Sequence, residues 1–420
     1  MKKFFLFLFF IALVLSSKAT SILIPMDEAQ KDHLKSYGIT YWILQKDLEV
    51  EWLLNYRGGS FLLPFSNDIE KECMIRGITF EKISDSRVFD IHSQIAQPEV
   101  NMETVKLQKA PKIAVYSPKT KQPWDDAVTM VLTYAEIPYT VVFDDEVLNS
   151  DLAKYDWLHL HHEDFTGQYG KFYGTYRNAP WYIAEVKEAE ATAAKHGFSK
   201  VSLLKLAVAK KIREFVSGGG YLFAMCSATD SYDIALAADG VDICESVFDG
   251  DGSDPNSAQK INYDNCFSFK DFKLIKEPMV YEFSTIDVPA ERAGQVREEN
   301  DVFGLFDFSA KYDVVPAMLC QDHTRVIKAF YGQTTAFRTN LIKTGVLVMG
   351  ENKALGEARY LHGDFGKGTW TFFSGHDPED YQHQVGEPPT DLKLYPNSPG
   401  YRLILNNVLF PSAKKKKQKT

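Results

Sequence analysis

One of the chain's five cysteines stands where a strand-like run gives way to a helix, in Ser217-Gly218-Gly219-Gly220-Tyr221-Leu222-Phe223-Ala224-Met225-Cys226-Ser227-Ala228-Thr229-Asp230. The apolar run Tyr221 to Met225 is too short for a helix and suits a strand buried on both faces. Ser227, Thr229 and Asp230 can each cap the helix that follows. A cysteine at such a turn is presented at a strand's carboxyl end, beside helix N–H groups that favour its thiolate. Thiolate attack on a carbonyl also needs a proton carrier and a group to orient it. His376, in Ser374-Gly375-His376-Asp377-Pro378-Glu379, follows another apolar strand and is the candidate carrier. Asp377 or Glu379 is the candidate orienting carboxylate, and the N–H groups of Ser227 and Ala228 are candidate oxyanion donors.

A second constellation is His159-Leu160-His161-His162-Glu163-Asp164. His159 and His161 share one strand face, a spacing suited to zinc or another divalent metal. His161, His162, Glu163 and Asp164 at the strand's end are also candidate substrate contacts. The acidic loop Asp249 to Asp254 lacks the central glycine and terminal glutamate of a calcium-binding loop and reads as a solvated turn.

These residues need strands that end at a common edge. Residues 20–108 read as a first α+β unit. It has helical spacing from Met26 to Gln45, a strand from Glu49 to Tyr56 and a helix from Asn67 to Arg76. A strand from Ile78 to Ile83 and a weaker helical stretch ending near Val105 follow. From 109 to 411 strands and helices alternate: Lys112 to Tyr116, Trp124 to Ala135, Tyr139 to Phe143, Asp156 to Leu160, and then the helix Leu203 to Val216 before Tyr221. This pattern predicts an α/β fold with a doubly wound, mostly parallel sheet and helices on both faces. Ligands bind such sheets at the carboxyl ends of the strands, where His161 and Cys226 would meet. Insertions interrupt the pattern near 165–199 and 244–264. The first carries Tyr169, Phe172, Tyr173, Tyr176, Trp181 and Tyr182. Later strands are expected at Val314 to Leu319, Val326 to Tyr331, Gly345 to Met349, Ala358 to Leu361 and Trp370 to Phe373, with a last helix from Pro399 to Leu409.

The ends suggest export. Lys2 and Lys3, the apolar run Phe4 to Leu15, and Ser17-Lys18-Ala19 form the pattern of a signal peptide over residues 1–19. No later run is long enough to span a bilayer, so the processed protein is not expected in the membrane. The formal charge of −9 argues against a nucleic-acid partner. The basic tail at 412–420, with Lys414 to Lys417 and Lys419, reads as a solvated end. Five cysteines without a Cys-x-x-Cys spacing make neither a disulfide scaffold nor a thiolate zinc site.

Residues 111–411 resemble the class I glutamine amidotransferase-like superfamily, and within it the trehalose-utilisation (ThuA-like) branch. The resemblance rests on Gly218-Gly219-Gly220 before the elbow strand, Gly366-Lys367-Gly368, Gly375-His376-Asp377-Pro378-Glu379, and Ser398-Pro399-Gly400-Tyr401-Arg402. It implies a flavodoxin-like sheet with Cys226 as nucleophile and His376 as partner. Asp377 interrupts the family's His-Pro-Glu, and Ala224 and Ala228 replace the glycines of Gly-x-Cys-x-Gly. The whole chain, including Tyr41-Trp42 and Trp52 to Phe61, also resembles exported bacterial proteins commonly named asparagine synthetase B. Asparagine synthesis from glutamine uses an N-terminal cysteine and a Ser-Gly-Gly-x-Asp loop. Here Lys2 or Thr20 begins the chain and Tyr221 takes the aspartate's place, so that activity is not expected. The reading is an exported amidotransferase-like hydrolase acting through Cys226 and His376 on an amide or ester. One alternative is a ThuA-like protein that binds carbohydrate or cell-wall fragments on its aromatic insertion. The other is a metal-dependent hydrolase using His159 and His161. The partner is a small molecule or carbohydrate, and no cofactor beyond a divalent metal is foreseen.

Overall fold

The computed structural model describes residues 19–120 and 122–413. The signal pattern at 1–19, apart from Ala19, and the lysine run after Ala413 lie outside the described residues. Among the described residues, no helix is long and apolar enough to cross a membrane.

The first sheet is antiparallel. Strands β1 (Ser21–Ile24), β2 (Val50–Leu54), β3 (Ser60–Pro64), β4 (Glu81–Ile83) and β5 (Glu103–Leu107) lie in the order β4-β1-β3-β2-β5. The helix expected from Met26 begins only at His33, because the Asp32 side chain accepts the Lys35 N–H at 2.8 Å and caps it there. Asn67–Arg76 is the expected helix, capped by Ser66 and stopped by Gly77 at a φ of 72°. The weak helical stretch is the helix Asp85–Ile95, and the residues around Val105 are strand instead.

The second sheet is mixed, which corrects the expectation of a mostly parallel one. Its strands are β6 (Ile113–Tyr116), β7 (Thr140–Val142), β8 (Trp157–Leu160), β9 (Tyr221–Met225), β10 (Val302–Leu305), β11 (Val326–Lys328), β12 (Phe337–Arg338), β13 (Leu347–Asn352), β14 (Glu357–Phe365) and β15 (Gly368–Phe373). Five of them, in the order β7-β6-β8-β9-β15, pair in parallel. From β15 outward the pairs to β14, β13, β10 and β11 are antiparallel. The cause is local. A two-residue turn at Gly366, with a φ of 64°, joins β14 to β15, and so short a connection makes only an antiparallel pair. The segment expected as a strand at Val314–Leu319 is a helix instead. Its two valines look strand-like, but Ala317, Met318 and Leu319, the second half of the helix, are all buried.

Strand β9 alternates between two cores. Phe223 and Met225 join one apolar cluster, while Leu222 and Ala224 join the other. The first cluster also holds Leu34, Tyr37 and Ile39 of the N-terminal unit and Leu403, Ile404 and Leu405 of the helix Pro399–Leu409. Arg402 on that helix is fully buried and fastens the units together. It donates to Met26 O at 3.0 Å, to the Tyr37 hydroxyl at 3.2 Å and to Gly58 O. Arg402→Met should therefore lower the urea unfolding midpoint, at a cost of about 2–4 kcal/mol for charged hydrogen bonds lost in the interior. An unchanged midpoint would show that apolar contact alone joins the units.

Candidate functional site

Parallel pairing aligns the strand ends. Leu160 lies opposite Ala224, and Phe373 opposite Met225, so the residues that follow β8, β9 and β15 emerge at one edge. Cys226 follows β9 and turns the chain into the helix Ser227–Ala237. Its backbone sits at a φ of 50° and a ψ of −140°, a conformation that costs an L-residue about 1–3 kcal/mol. Only 3% of the residue is exposed, yet it lines a cavity of about 320 Å³ with His376, His162, Trp124 and His383.

Cys226 Sγ accepts the Gln333 N–H at 3.3 Å, and His376 lines the same cavity beside it. Burial pushes the thiol up, but His376 and the Gln333 and Thr334 N–H groups bring it below the ordinary value. Burial lowers the His376 imidazole, whereas Asp125 and Cys226 raise it, to about 10 overall. His376 Nε2 lies 3.3 Å from Asp125 Oδ1, and its ring stacks on His383 with centroids 4.3 Å apart. Burial raises Asp125, but His376, His383 and His161 hold it below the usual carboxylate range. The arrangement is a buried thiol lowered by a neighbouring imidazole, which a carboxylate contacts in turn. The other four cysteines are buried, and that burial raises every one of their thiols.

Neither expected orienting carboxylate reaches the His376 ring. Asp377 turns away to accept the Tyr401 hydroxyl at 2.8 Å, the Thr390 hydroxyl at 2.7 Å and the Glu379 N–H at 2.9 Å. Burial raises the Glu379 carboxyl, and Ser398 opposes that rise. The expected oxyanion pair is halved, because the Ala228 N–H donates to His161 O at 3.0 Å. The Ser227 N–H is the first of its helix and has no intrahelical acceptor.

The second constellation divides between roles. His161 Nε2 lies 3.2 Å from His376 Nδ1, and His162 lines the cavity with neither ring nitrogen hydrogen-bonded, its Nε2 lying 3.8 Å from Glu163 Oε1. Burial lowers both imidazoles, His161 to about 4. Glu163 accepts the His161 N–H at 3.0 Å, and burial raises its carboxyl to about 8. Asp164 is a turn anchor that accepts the Thr166 N–H and hydroxyl, each at 2.6 Å, and the Gly170 N–H at 3.2 Å. His159 and His161 both face Asp126, at 3.4 and 3.5 Å, and lie 3.4 Å from one another. These three residues could hold a divalent ion, since donor separations near 3.3–3.4 Å suit tetrahedral zinc at about 2.05 Å. They lie behind the cavity wall. Asp125, His376 and His383 are also close, but the parallel imidazoles direct their in-plane lone pairs side by side.

Aromatic residues of the first insertion mostly pack on one another. Tyr169 and Tyr182 are buried, Trp181 meets Phe172 and Trp124 edge-on, and Phe172 is the insertion's contribution to the cavity wall. Sequence reasoning missed Asp125, His383, Gln333 and Trp124. Asp125 had a signal. It precedes the Asp126 cap of the helix that follows β6, at the edge where such sheets bind ligands.

No family model and no curated protein matches the chain. Two cytoplasmic proteins of Salmonella typhimurium are similar to it at 10% and 13% identity, over 72% of this chain and 100% of each of theirs, with TM-scores of 0.35 and 0.33. A GH42 beta-galactosidase of G. stearothermophilus is similar at 12% identity over 65% of this chain and 28% of its own, with a TM-score of 0.28. Likenesses this slight carry no argument about chemistry.

A thiol held below its ordinary value ionises at lower pH, so its reactivity climbs less steeply near neutrality. Iodoacetamide labelling of Cys226 should therefore rise less from about pH 6.5 to 8.5 than that of an ordinary thiol, which gains nearly tenfold per unit. A slope as steep as an ordinary thiol's, read by peptide mass spectrometry, would show that His376 does not lower Cys226.

Proposed function

We propose that the chain is a cysteine-dependent hydrolase of amides or esters, built on the flavodoxin-like core of the class I glutamine amidotransferase-like superfamily. One observation carries the reading: Cys226, at a left-handed strand-to-helix turn, shares the wall of one cavity with His376, whose Nε2 lies 3.3 Å from Asp125 Oδ1. The parallel strands, numbered by their succession along the chain, run 2-1-3-4-5, which is the flavodoxin-like order. The signal pattern read in the sequence supports work outside the cytoplasm.

In this reading the Cys226 thiolate attacks the carbonyl carbon, and the carbonyl π pair moves onto oxygen. The Ser227 N–H is the donor assigned to that oxygen, since the Ala228 N–H is committed to His161 O. As the tetrahedral species collapses, the bond to the amine or alcohol breaks and that group leaves with the proton carried by His376. A thioester remains. Water then attacks it, yielding a proton to His376, and the C–S bond breaks to release a carboxylic acid and restore Cys226. Asp125 holds the imidazole through both steps.

Iodoacetamide should label Cys226 at least about tenfold faster than any of the other four cysteines, whose thiols are not lowered. Equal or slower labelling would sink the nucleophile. His376→Asn should lower kcat/KM by about 10²–10⁴. A Cβ at Gly332 would meet His376 N at 2.8 Å and Cys226 Sγ at 3.0 Å. Gly332→Ala should thus cut turnover by about 10² through misplacement while leaving circular dichroism unchanged.

A further inference from the structure

The cavity beside Cys226 narrows the substrate class. Its walls include Trp124, Phe172, Tyr281, Tyr331 and Val288. Trp124 is stacked on Phe172, with ring centroids 5.1 Å apart and planes at 22°, so it forms a fixed flat wall.

The charges around this cavity are already committed, with one exception. Arg292 lines it, but all five of its N–H donors are taken. Nε and Nη2 donate to Glu357 at 2.9 Å each, Nη2 and Nη1 to Asp301 at 2.8 and 2.6 Å, and Nη1 also to the Tyr331 hydroxyl at 3.3 Å. Asp287 accepts the Thr335, Ala336 and Val288 N–H groups at 2.9, 3.2 and 2.7 Å. Asp125 is held by His376. The exception is Glu282, a carboxylate for which no hydrogen-bond or ion-pair partner is present among the described residues. Among the described lining residues Arg292 is the sole Arg or Lys. A carboxylate on the substrate would enter beside a carboxylate and meet no free cation, a costly burial. Glutamine carries such a group.

Other polar atoms point to what does fit. Trp124 Nε1 and both ring nitrogens of His162 are buried without a hydrogen bond, with Glu163 Oε1 3.8 Å from His162 Nε2, and both residues line the cavity. A donor N–H left unpaired in the interior is satisfied by a neutral acceptor, such as a carbonyl or hydroxyl oxygen. We infer, building on Cys226 as nucleophile, that the substrate is an amide or ester bearing an apolar ring and a neutral hydrogen-bond acceptor beside the scissile carbonyl, and that glutamine is excluded. The flat Trp124–Phe172 wall takes the ring, and the Trp124 Nε1–H with the one N–H of the neutral His162 imidazole takes the acceptor.

Two chloroketones that share one warhead test this on the full chain. One carries the α-ammonium and α-carboxylate of glutamine, and the other a phenyl ring. Each rate at Cys226 is divided by the same reagent's rate with glutathione. The phenyl reagent should then be at least tenfold faster, and Trp124→Ala should erase most of that advantage while iodoacetamide labelling stays fast. An equal or faster amino-acid reagent overturns the inference and leaves the nucleophile standing. So do two slow chloroketones where iodoacetamide labels Cys226 readily. Failure of iodoacetamide to select Cys226 removes the underlying reading, and the substrate class with it.

Discussion

The parallel register of β8, β9 and β15 is the constraint on which the site depends. Strand β9 has parallel neighbours on both sides and both of its faces buried, so its position is set by two ladders and two cores at once. A slip of one residue would move Cys226 by about 3.3 Å and exchange its faces. It would also carry Cys226 away from His376 and His161, which hang from the neighbouring strands. The strained turn at Cys226 persists because this frame over-determines it.

Around that edge the chain buries an unusual density of titratable groups, and it pairs them in two layers. The layer at the cavity is Cys226, His376 and Asp125, with His383 stacked behind the imidazole. The layer beneath is Asp126 with His159 and His161, and His159 Nδ1 is anchored on Phe223 O at 3.1 Å. His161 joins the layers, facing Asp126 with one nitrogen and His376 with the other. On the far rim, Arg292 and Arg359 share Asp301 and Glu357 in a closed network. Such a network is costly to desolvate and holds its members in fixed geometry once formed. That rigidity keeps Arg292 at the cavity wall without making it available to a ligand.

Much of the architecture was legible in the chain. The helices Asn67–Arg76 and Pro399–Leu409 have the expected bounds, because their caps, Ser66 and Ser398, lie one residue before them. Strands β6, β8 and β9 stood out as short apolar runs between polar turns. The antiparallel extension did not, since the residues of β13, β14 and β15 look alike whether they join the parallel sheet or form another. The helix Val314–Leu319 was misread because two adjacent valines carry a strand preference that burial against a helix overrides. The aromatic insertion looked like a ring-binding surface, yet most of its rings satisfy one another.

Local patterns determined which residues could do chemistry: a cysteine at a strand-to-helix turn, a histidine after an apolar strand, and three histidines about a strand end. Periodicity and capping act over a few residues, so one chain suffices to read them. Which carboxylate serves His376 was decided only in three dimensions. Asp377 is its neighbour in sequence but is drawn to Tyr401 and Thr390, while Asp125 arrives from 251 positions away. The same holds for the Ala228 amide, claimed by His161 O from the adjacent strand, and for Arg292, whose donors are exhausted by distant acids. Hydrogen bonds are awarded by distance and angle after packing. No spacing along the chain encodes them.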